Sequence, residues 1–314
     1  MKYAFVFPGQ GSQYVGMGKE LADNFKTAKD VFQEVNEALS QDLFKIMTEG
    51  PDNELTLTAN AQPALMAFSM AIVRVLEHDF GIKLKDKAAF VAGHSLGEYS
   101  AACCAEVFSL SDTAKLLRLR GEAMQTAVPF GVGSMAAVIG LSYKDIGALV
   151  EACSNDKDIC VAANDNSDGQ VVISGSMEAI NKAIEIAPEF GAKKCVKLAV
   201  SAPFHSPFMA PAANAMARAF MEVEAHDAKI PLVANVLAEP IVDHKEIIKH
   251  LVEQVTSTVR WRETMYFLQE QGITDLVEIG AGKVLSGIAK RSNKEMNAIS
   301  VSSAAEIEEL AKNL

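Results

Sequence analysis

Ala88-Ala89-Phe90-Val91-Ala92-Gly93-His94-Ser95-Leu96-Gly97 is the stretch on which the fold turns. An apolar run, 88–92, leads directly into Gly-x-Ser-x-Gly, and Leu96 to Glu106 then has the composition of a helix. Strand, sharp turn and helix in that order form the context in which this motif carries a nucleophile, rather than arising by chance in a glycine-containing turn. Gly93 and Gly97 have no Cβ to collide with the neighbouring strand, so the backbone can turn tightly there. Such a turn lifts the Ser95 hydroxyl off the sheet edge. It also aims backbone N–H groups of the helix start at the point where negative charge would develop.

The same alternation recurs outward from the motif. Tyr3 to Phe7 reads as a buried strand, Pro8-Gly9-Gln10-Gly11-Ser12 as a tight loop, and 17–47 and 61–80 as helical, the latter opening near Asn60 and Pro63. Repeated β-loop-α units argue for a parallel sheet covered by helices. Residues 133–198 change character. Strands are expected at 134–139, 159–163, 171–174 and 193–200, helices at 142–153 and 176–190, and a turn at 164–169. The order βαββαβ is that of a ferredoxin-like unit. It begins just after Pro129-Phe130-Gly131 and ends before Pro203. The expectation is an α/β protein whose large domain, 1–128 and 202–314, carries an inserted subdomain at 129–201. Leu276 to Ile279 reads as a late strand. Gly280-Ala281-Gly282 after it reads as a strand-to-helix turn, since no Gly-Lys-Ser/Thr follows to make a phosphate loop.

Composition narrows the function classes. With 314 residues, 49% hydrophobic and 22% charged, the chain can bury a sizeable core. Its net charge of −11 argues against a nucleic-acid partner. The cysteines at 103, 104, 153, 160 and 195 form no C-x-x-C pair, which fits reduced thiols in a cytoplasmic protein without a metal site. Met1-Lys2 is followed by only five apolar residues before Pro8-Gly9, too few for a secretory leader. The uncharged stretches 123–143 and 198–217 are broken by proline and glycine, so neither reads as a continuous helix across a bilayer.

A serine nucleophile needs a base. Of six histidines, His94 points away from Ser95 in such a turn, and His78, His226, His244 and His250 lie among charged residues and read as surface. His205 stands in Ser201-Ala202-Pro203-Phe204-His205-Ser206-Pro207-Phe208-Met209, an uncharged loop stiffened by proline. The residues alone leave it open between a base and a satisfied core histidine. On helix 112–126, Arg120 shares a face with Leu116, Leu117, Ala123 and Met124, whereas Arg118 neighbours Lys115 and Glu122 and reads as solvated. A buried arginine needs an anion. That anion is either an Asp or Glu of this chain, the commoner case, or a substrate carboxylate held by the guanidinium fork.

Phe7-Pro8-Gly9-Gln10-Gly11-Ser12-Gln13, Gly93-His94-Ser95-Leu96-Gly97-Glu98-Tyr99, Arg120 with Met124, Asn164-Asp165-Asn166, Phe204-His205 and Glu278-Ile279-Gly280-Ala281-Gly282-Lys283-Val284-Leu285 occur in that order. Together they resemble the malonyl-CoA:acyl-carrier-protein transacylase family of type II fatty-acid synthesis, from Lys2 to about Arg291. The resemblance implies a hydrolase-like large domain with a ferredoxin-like insert. It implies Ser95 as nucleophile, His205 as base, and the N–H groups of Gln10 and Leu96 as oxyanion hole. It further implies Arg120 as the group that binds the malonyl carboxylate. The main-chain carbonyl of Gln254 would orient His205 in place of an acid, at the expected end of helix 245–254, where carbonyls are free. The Gln254 side chain would then be dispensable for that role.

The implied reaction moves malonyl from malonyl-CoA to the phosphopantetheine thiol of acyl carrier protein through a malonyl-serine. It needs no cofactor, metal, nucleic acid or membrane, and a monomer is expected. A serine esterase or thioesterase would instead want an acid behind His205 and no buried Arg120, and an acyl-binding scaffold would need none of the three. Acidic carrier proteins require a local basic patch on a chain of net charge −11. Lys193-Lys194 with Lys197, and Lys290-Arg291, are the candidates, against the alternative of ordinary solvated side chains. Ala202-Pro203-Phe204-His205 departs from the His-Ala-Phe-His of malonyl-selecting polyketide synthase modules, which leaves room for a substituted malonyl group.

Overall fold

Tyr3–Phe7 (β1) is apolar throughout because both of its faces are covered: Phe5 and Phe7 enter one core, Ala4 and Val6 another. In the computed structural model, which describes residues 2–200, 202–292 and 295–314, nine further strands follow. They are Ala88–Gly93 (β2), Gly133–Ile139 (β3), Cys160–Ser167 (β4), Gln170–Ser176 (β5), Lys194–Lys197 (β6), Leu232–Val233 (β7), Pro240–Ile241 (β8), Asp275–Ile279 (β9) and Asn297–Val301 (β10). The large sheet has the order β10-β9-β1-β2-β7-β8. Its pairings are parallel as expected, except that the two-residue edge strand β8 runs antiparallel to β7. Phe7 pairs with Gly93, so the loops after β1 and β2 emerge side by side at the carboxyl end of the sheet. That end is where open α/β sheets bind their ligands.

The helix Thr58–His78 lies in the core on the Phe5/Phe7 side and packs against the helices Lys26–Leu39 and Leu110–Thr126. Among the described residues it alone is long and apolar enough to cross a membrane, and 89% of its apolar window is buried inside the protein. It opens at Thr58, with Pro63 in its second turn, rather than near 61. The helical stretch expected at 17–47 is three helices, Lys19–Asn24, Lys26–Leu39 and Leu43–Glu49. Extended backbone at Phe25 and a left-handed Ser40 break it.

The second sheet, β4-β5-β3-β6, is antiparallel throughout. The helices Tyr143–Cys153 and Met177–Ile186 bury Ile146, Leu149 and Ile180 against Val138 and Ile173 to give this unit its own core. Its strand order is the ferredoxin-like one. Two details differ from expectation. Residues 164–167 are not a turn: β4 continues to Ser167 through bulges. Its outer edge bonds to the large domain, Asp165 N–H to the Val259 carbonyl and Val259 N–H to the Ala163 carbonyl, so the Asn-Asp-Asn run is held extended. β6 ends at Lys197, which releases Leu198–Val200 to line the cleft. Met1 and Ser201, the latter the last residue of the expected insert, lie outside the described residues.

Candidate active site

The turn after β2 is possible only with its two glycines. A Cβ on Gly93 would sit 1.9 Å from the Gly97 carbonyl carbon, and one on Gly97 would sit 2.2 Å from the Phe7 carbonyl oxygen. Ser95 itself takes the left-handed conformation, φ 55°, a strained state for a residue with a side chain. Bonds on both sides hold it there. Ser95 N–H donates to Asn235 Oδ1 at 2.8 Å, and Asn235 Nδ2 donates to the Gly93 carbonyl at 2.6 Å. Asn235 lies just beyond β7, at the same end of the sheet.

His205 is also left-handed, φ 54°, and 4% exposed. Its Nε2 lies 2.7 Å from Ser95 Oγ, and its Nδ1 lies 2.8 Å from the main-chain carbonyl of Gln254. A carbonyl only accepts, so Nδ1 carries the proton and Nε2 faces the serine hydroxyl as acceptor. Gln254 follows the helix His244–Glu253 as predicted, one residue past its end. Burial, reinforced by the charge of Arg120, pushes the imidazole down to about 3, so it is neutral at physiological pH and its Nε2 lone pair is free.

Arg120, on the helix Leu110–Thr126, is 1% exposed. Its Nη1 donates to Gln62 Oε1 at 2.8 Å; its Nη2 donates to Gln254 Oε1 at 2.6 Å and to Ser95 Oγ at 3.3 Å. The guanidinium lies over the Tyr99 ring at 5.4 Å, and its Nε has no hydrogen-bond partner among the described residues. It forms no ion pair with an Asp or Glu among the described residues, so the commoner of the two sequence-based alternatives is not realised. The nearest acid, Glu98, is reached only through Gln254: Gln254 Nε2 donates to Glu98 Oε2 at 2.6 Å and to the Ser95 carbonyl at 2.8 Å. The Gln254 side chain plays no part in the contact to His205, which is made by the main chain, but it is a fully buried junction between Arg120, Ser95 and Glu98.

The N–H groups of Gln10 and Leu96 have no acceptor among the described residues, whereas that of Ser95 is taken by Asn235. Both residues line a cavity of about 380 Å³ together with Ser95, Arg120 and His205. Met135, Asn164 and Leu198–Val200 close it from the side of the small sheet. His94 lines the same cavity but makes no bond to Ser95; its Nε2 bonds Asn166 Oδ1 at 2.8 Å.

Two sequence-based assignments fail. Arg118 is half-buried, bonding Asn60 and Gln41, because the helix Thr58–His78 covers that flank of its own helix. His250 is buried between the Glu246 and Glu253 side chains of its own helix rather than exposed. The sequence marks no role for Glu98, Asn235 or Gln62. The one available signal was Glu98, the sole charge in the Ala- and Cys-rich helix Gly97–Cys104. Lys193, Lys194, Lys197, Lys290 and Arg291 are exposed, and none lines the cavity. Lys194 pairs with Ile139, at the end of β3 opposite to Gly133, the end that abuts Pro203 of the His205 loop.

Comparison with known proteins supplies a family and close relatives. The family described as acyl transferase domain matches residues 4–313. A malonyl CoA-acyl carrier protein transacylase of Bacillus subtilis (strain 168) is 41% identical over 310 residues, covering 98% of this chain and 95% of the relative. The crystal structure of acyl-carrier-protein-S-malonyltransferase from Bartonella henselae superposes with a TM-score of 0.97 at 53% identity, covering 100% of this chain and 99% of that one. A malonyl-transacylase solved in complex with its type II PKS acyl-carrier protein superposes with a TM-score of 0.95 at 39% identity, over 100% of both chains.

Proposed function

The chain belongs to the acyl transferase family, among its malonyl-CoA:acyl-carrier-protein transacylases, and from that membership we propose how its residues divide the work. The enzyme transfers malonyl from malonyl-CoA to the phosphopantetheine thiol of acyl carrier protein. Ser95 Oγ attacks the thioester carbonyl while His205 Nε2 takes the hydroxyl proton. The oxyanion is held by the N–H groups of Gln10 and Leu96. The C–S bond breaks, CoA leaves as the thiol with the proton from His205, and malonyl-Ser95 remains. The carrier's thiol then gives its proton to His205 and attacks the ester, and Ser95 recovers that proton as its bond to the acyl carbon breaks. Arg120 binds the free malonyl carboxylate throughout. No metal or cofactor takes part in these steps.

One observation carries this reading over an esterase: a buried arginine lacking any acid partner among the described residues lies 3.3 Å from the nucleophile. A hydrolase of neutral esters has no use for that charge. Mixing the enzyme with malonyl-CoA and reading the intact mass tests it. A malonyl adduct that persists until a carrier thiol is added is the expected result. Rapid loss of the adduct to water would make the protein a thioesterase, and no adduct at all would make it a binding protein.

The reading extends to a cytoplasmic monomer whose large domain, 1–128 and 202–314, embraces the insert 129–201. It also places carrier docking on the basic pairs Lys193-Lys194 and Lys290-Arg291. The phosphopantetheine arm is long, so docking side chains need not line the cavity. Reversing all four charges should raise KM for the carrier protein and flatten its salt dependence, while acylation by malonyl-CoA stays nearly unchanged. An unaltered KM for the carrier would move docking to another surface.

A further inference from the structure

Behind the reacting groups lies a buried acid that the reaction scheme leaves unused. Glu98 is 1% exposed and makes two bonds, accepting from Asn235 N–H at 3.1 Å on Oε1 and from Gln254 Nε2 at 2.6 Å on Oε2. Asn235 caps the N–H of Ser95. Gln254 holds His205 through its main chain and Arg120 through its side chain. One carboxylate thus stands behind the nucleophile, the base and the carboxylate-binding arginine at once. We propose that Glu98 is a positioning residue that fixes the orientation of the Gln254 amide and, through it, sets the acyl selectivity of the site. This rests on the transacylase reading above.

The logic is one of donors and acceptors. Gln254 Nε2 sits between two acceptors, the Ser95 carbonyl and Glu98 Oε2, while Oε1 faces the donor Nη2 of Arg120. Only this orientation satisfies all three neighbours. Burial pushes the Glu98 carboxyl up to about 7, but a donor faces each of its oxygens, and the ionised form, which accepts on both, enforces that orientation. The Gln254 oxygen is thereby aimed at Arg120 and helps hold the fork beside Ser95 Oγ. Because the partner is a neutral amide, the cation stays available to a substrate carboxylate, which a directly paired acid would have denied it.

Glu98→Gln inverts this arrangement with little change of shape. The Asn235 N–H cannot turn, so the new amide must offer it oxygen and turn its NH2 towards Gln254. Gln254 must then flip, lose its bond to the Ser95 carbonyl, and point its own NH2 at Arg120. Two donors now face each other at the arginine. Misplacing a positioning group by about an ångström costs up to roughly 100-fold in rate.

Formation of the acyl-enzyme is followed by intact mass in single turnovers with malonyl-CoA and acetyl-CoA. The parent protein is the control: if it forms no malonyl-Ser95, the transacylase reading itself fails. Given a competent parent, Glu98→Gln should slow malonylation at least tenfold or so and acetylation much less, lowering the malonyl-to-acetyl ratio. An unchanged ratio overturns the positioning role, even if both rates fall together, because that is how a residue that only supports the fold behaves.

The double variant Glu98→Gln/Gln254→Glu re-forms a donor–acceptor pair between the two positions but sets a carboxylate directly on Arg120. It should regain thermal stability without regaining malonyl preference. Recovery of both would overturn the proposal. Should Glu98→Gln fail to fold, Glu98→Asp, which keeps the charge but retracts it from Gln254, is read by the same ratio and the same criterion.

Discussion

Replacing Ser95 by Ala should abolish the malonyl-enzyme and reduce malonyl transfer by several orders of magnitude. The expectation follows from how the relay is wired. His205 Nε2 has Ser95 Oγ as its bonding partner at 2.7 Å, and its other nitrogen is committed to the Gln254 carbonyl. On the proposed assignment His205 is the base and without the hydroxyl has no proton to take, and the effects of nucleophile and base are not separable; in a serine hydrolase of like design, loss of one such member costs on the order of 10⁶ in kcat. The fold should survive. Alanine accepts the left-handed conformation of residue 95 no worse than serine, and the main-chain bonds from Ser95 N–H to Asn235 and from Glu98 N–H to the Ser95 carbonyl do not need the side chain. An unchanged melting temperature with no mass shift on malonyl-CoA is therefore the expected pair of results. In the parent enzyme, a covalent intermediate requires parallel lines in a double-reciprocal plot when malonyl-CoA and carrier protein are varied. Intersecting lines, or a malonyl adduct on Ser95→Ala, would remove Ser95 from the chemistry.

The residues readable from sequence are those whose role is imposed by local sterics. The Gly93–Gly97 turn is legible because a Cβ at either end would strike backbone, a constraint written in two residue identities. The parallel sheet follows from apolar runs buried on both faces, and the insert from its order of elements. His205 could not be settled by the same means. Its orienting partner is a main-chain carbonyl, and every residue of the chain owns one, so no residue identity marks it. Asn164-Asp165-Asn166 misleads for a related reason: its composition favours a turn, but bonds to Val259, nearly a hundred positions away, hold it extended. The Glu98–Gln254–Arg120 junction joins three helical termini and faces that meet only in the folded chain. Its two amides, Gln62 and Gln254, look like ordinary polar residues until burial is known. Arg120 marks the boundary of what sequence could say. Periodicity put it on an apolar face; only the structure shows that its neighbours are neutral.

Arg120→Ala should separate the acyl groups rather than disable the enzyme. Removing one partner of a buried charge pair typically costs about 3–5 kcal/mol, and at about 1.4 kcal/mol per tenfold that is a loss of some hundredfold to a few thousandfold in kcat/KM for malonyl-CoA. An uncharged acetyl group makes no such pair, so its transfer carries none of that loss. It should even gain. The positive charge of Arg120 is the second cause, after burial, that holds the His205 imidazole low. Deleting the cation lets the affinity of His205 for a proton rise, which strengthens it in its proposed role as acceptor of the Ser95 proton. The opposing effect is structural: Gln62 Oε1 and Gln254 Oε1 each lose their donor, and Glu98 loses the nearest compensating charge. That cost falls on stability and should appear as a lower melting temperature, equally for every substrate. The malonyl-to-acetyl ratio of kcat/KM cancels it. Arg120→Lys keeps the charge but not the fork, and should fall between the parent and the alanine variant in that ratio. Equal losses for malonyl and acetyl in Arg120→Ala would make the arginine a strut of the fold, and the neutral amides around it would then be its reason for being there.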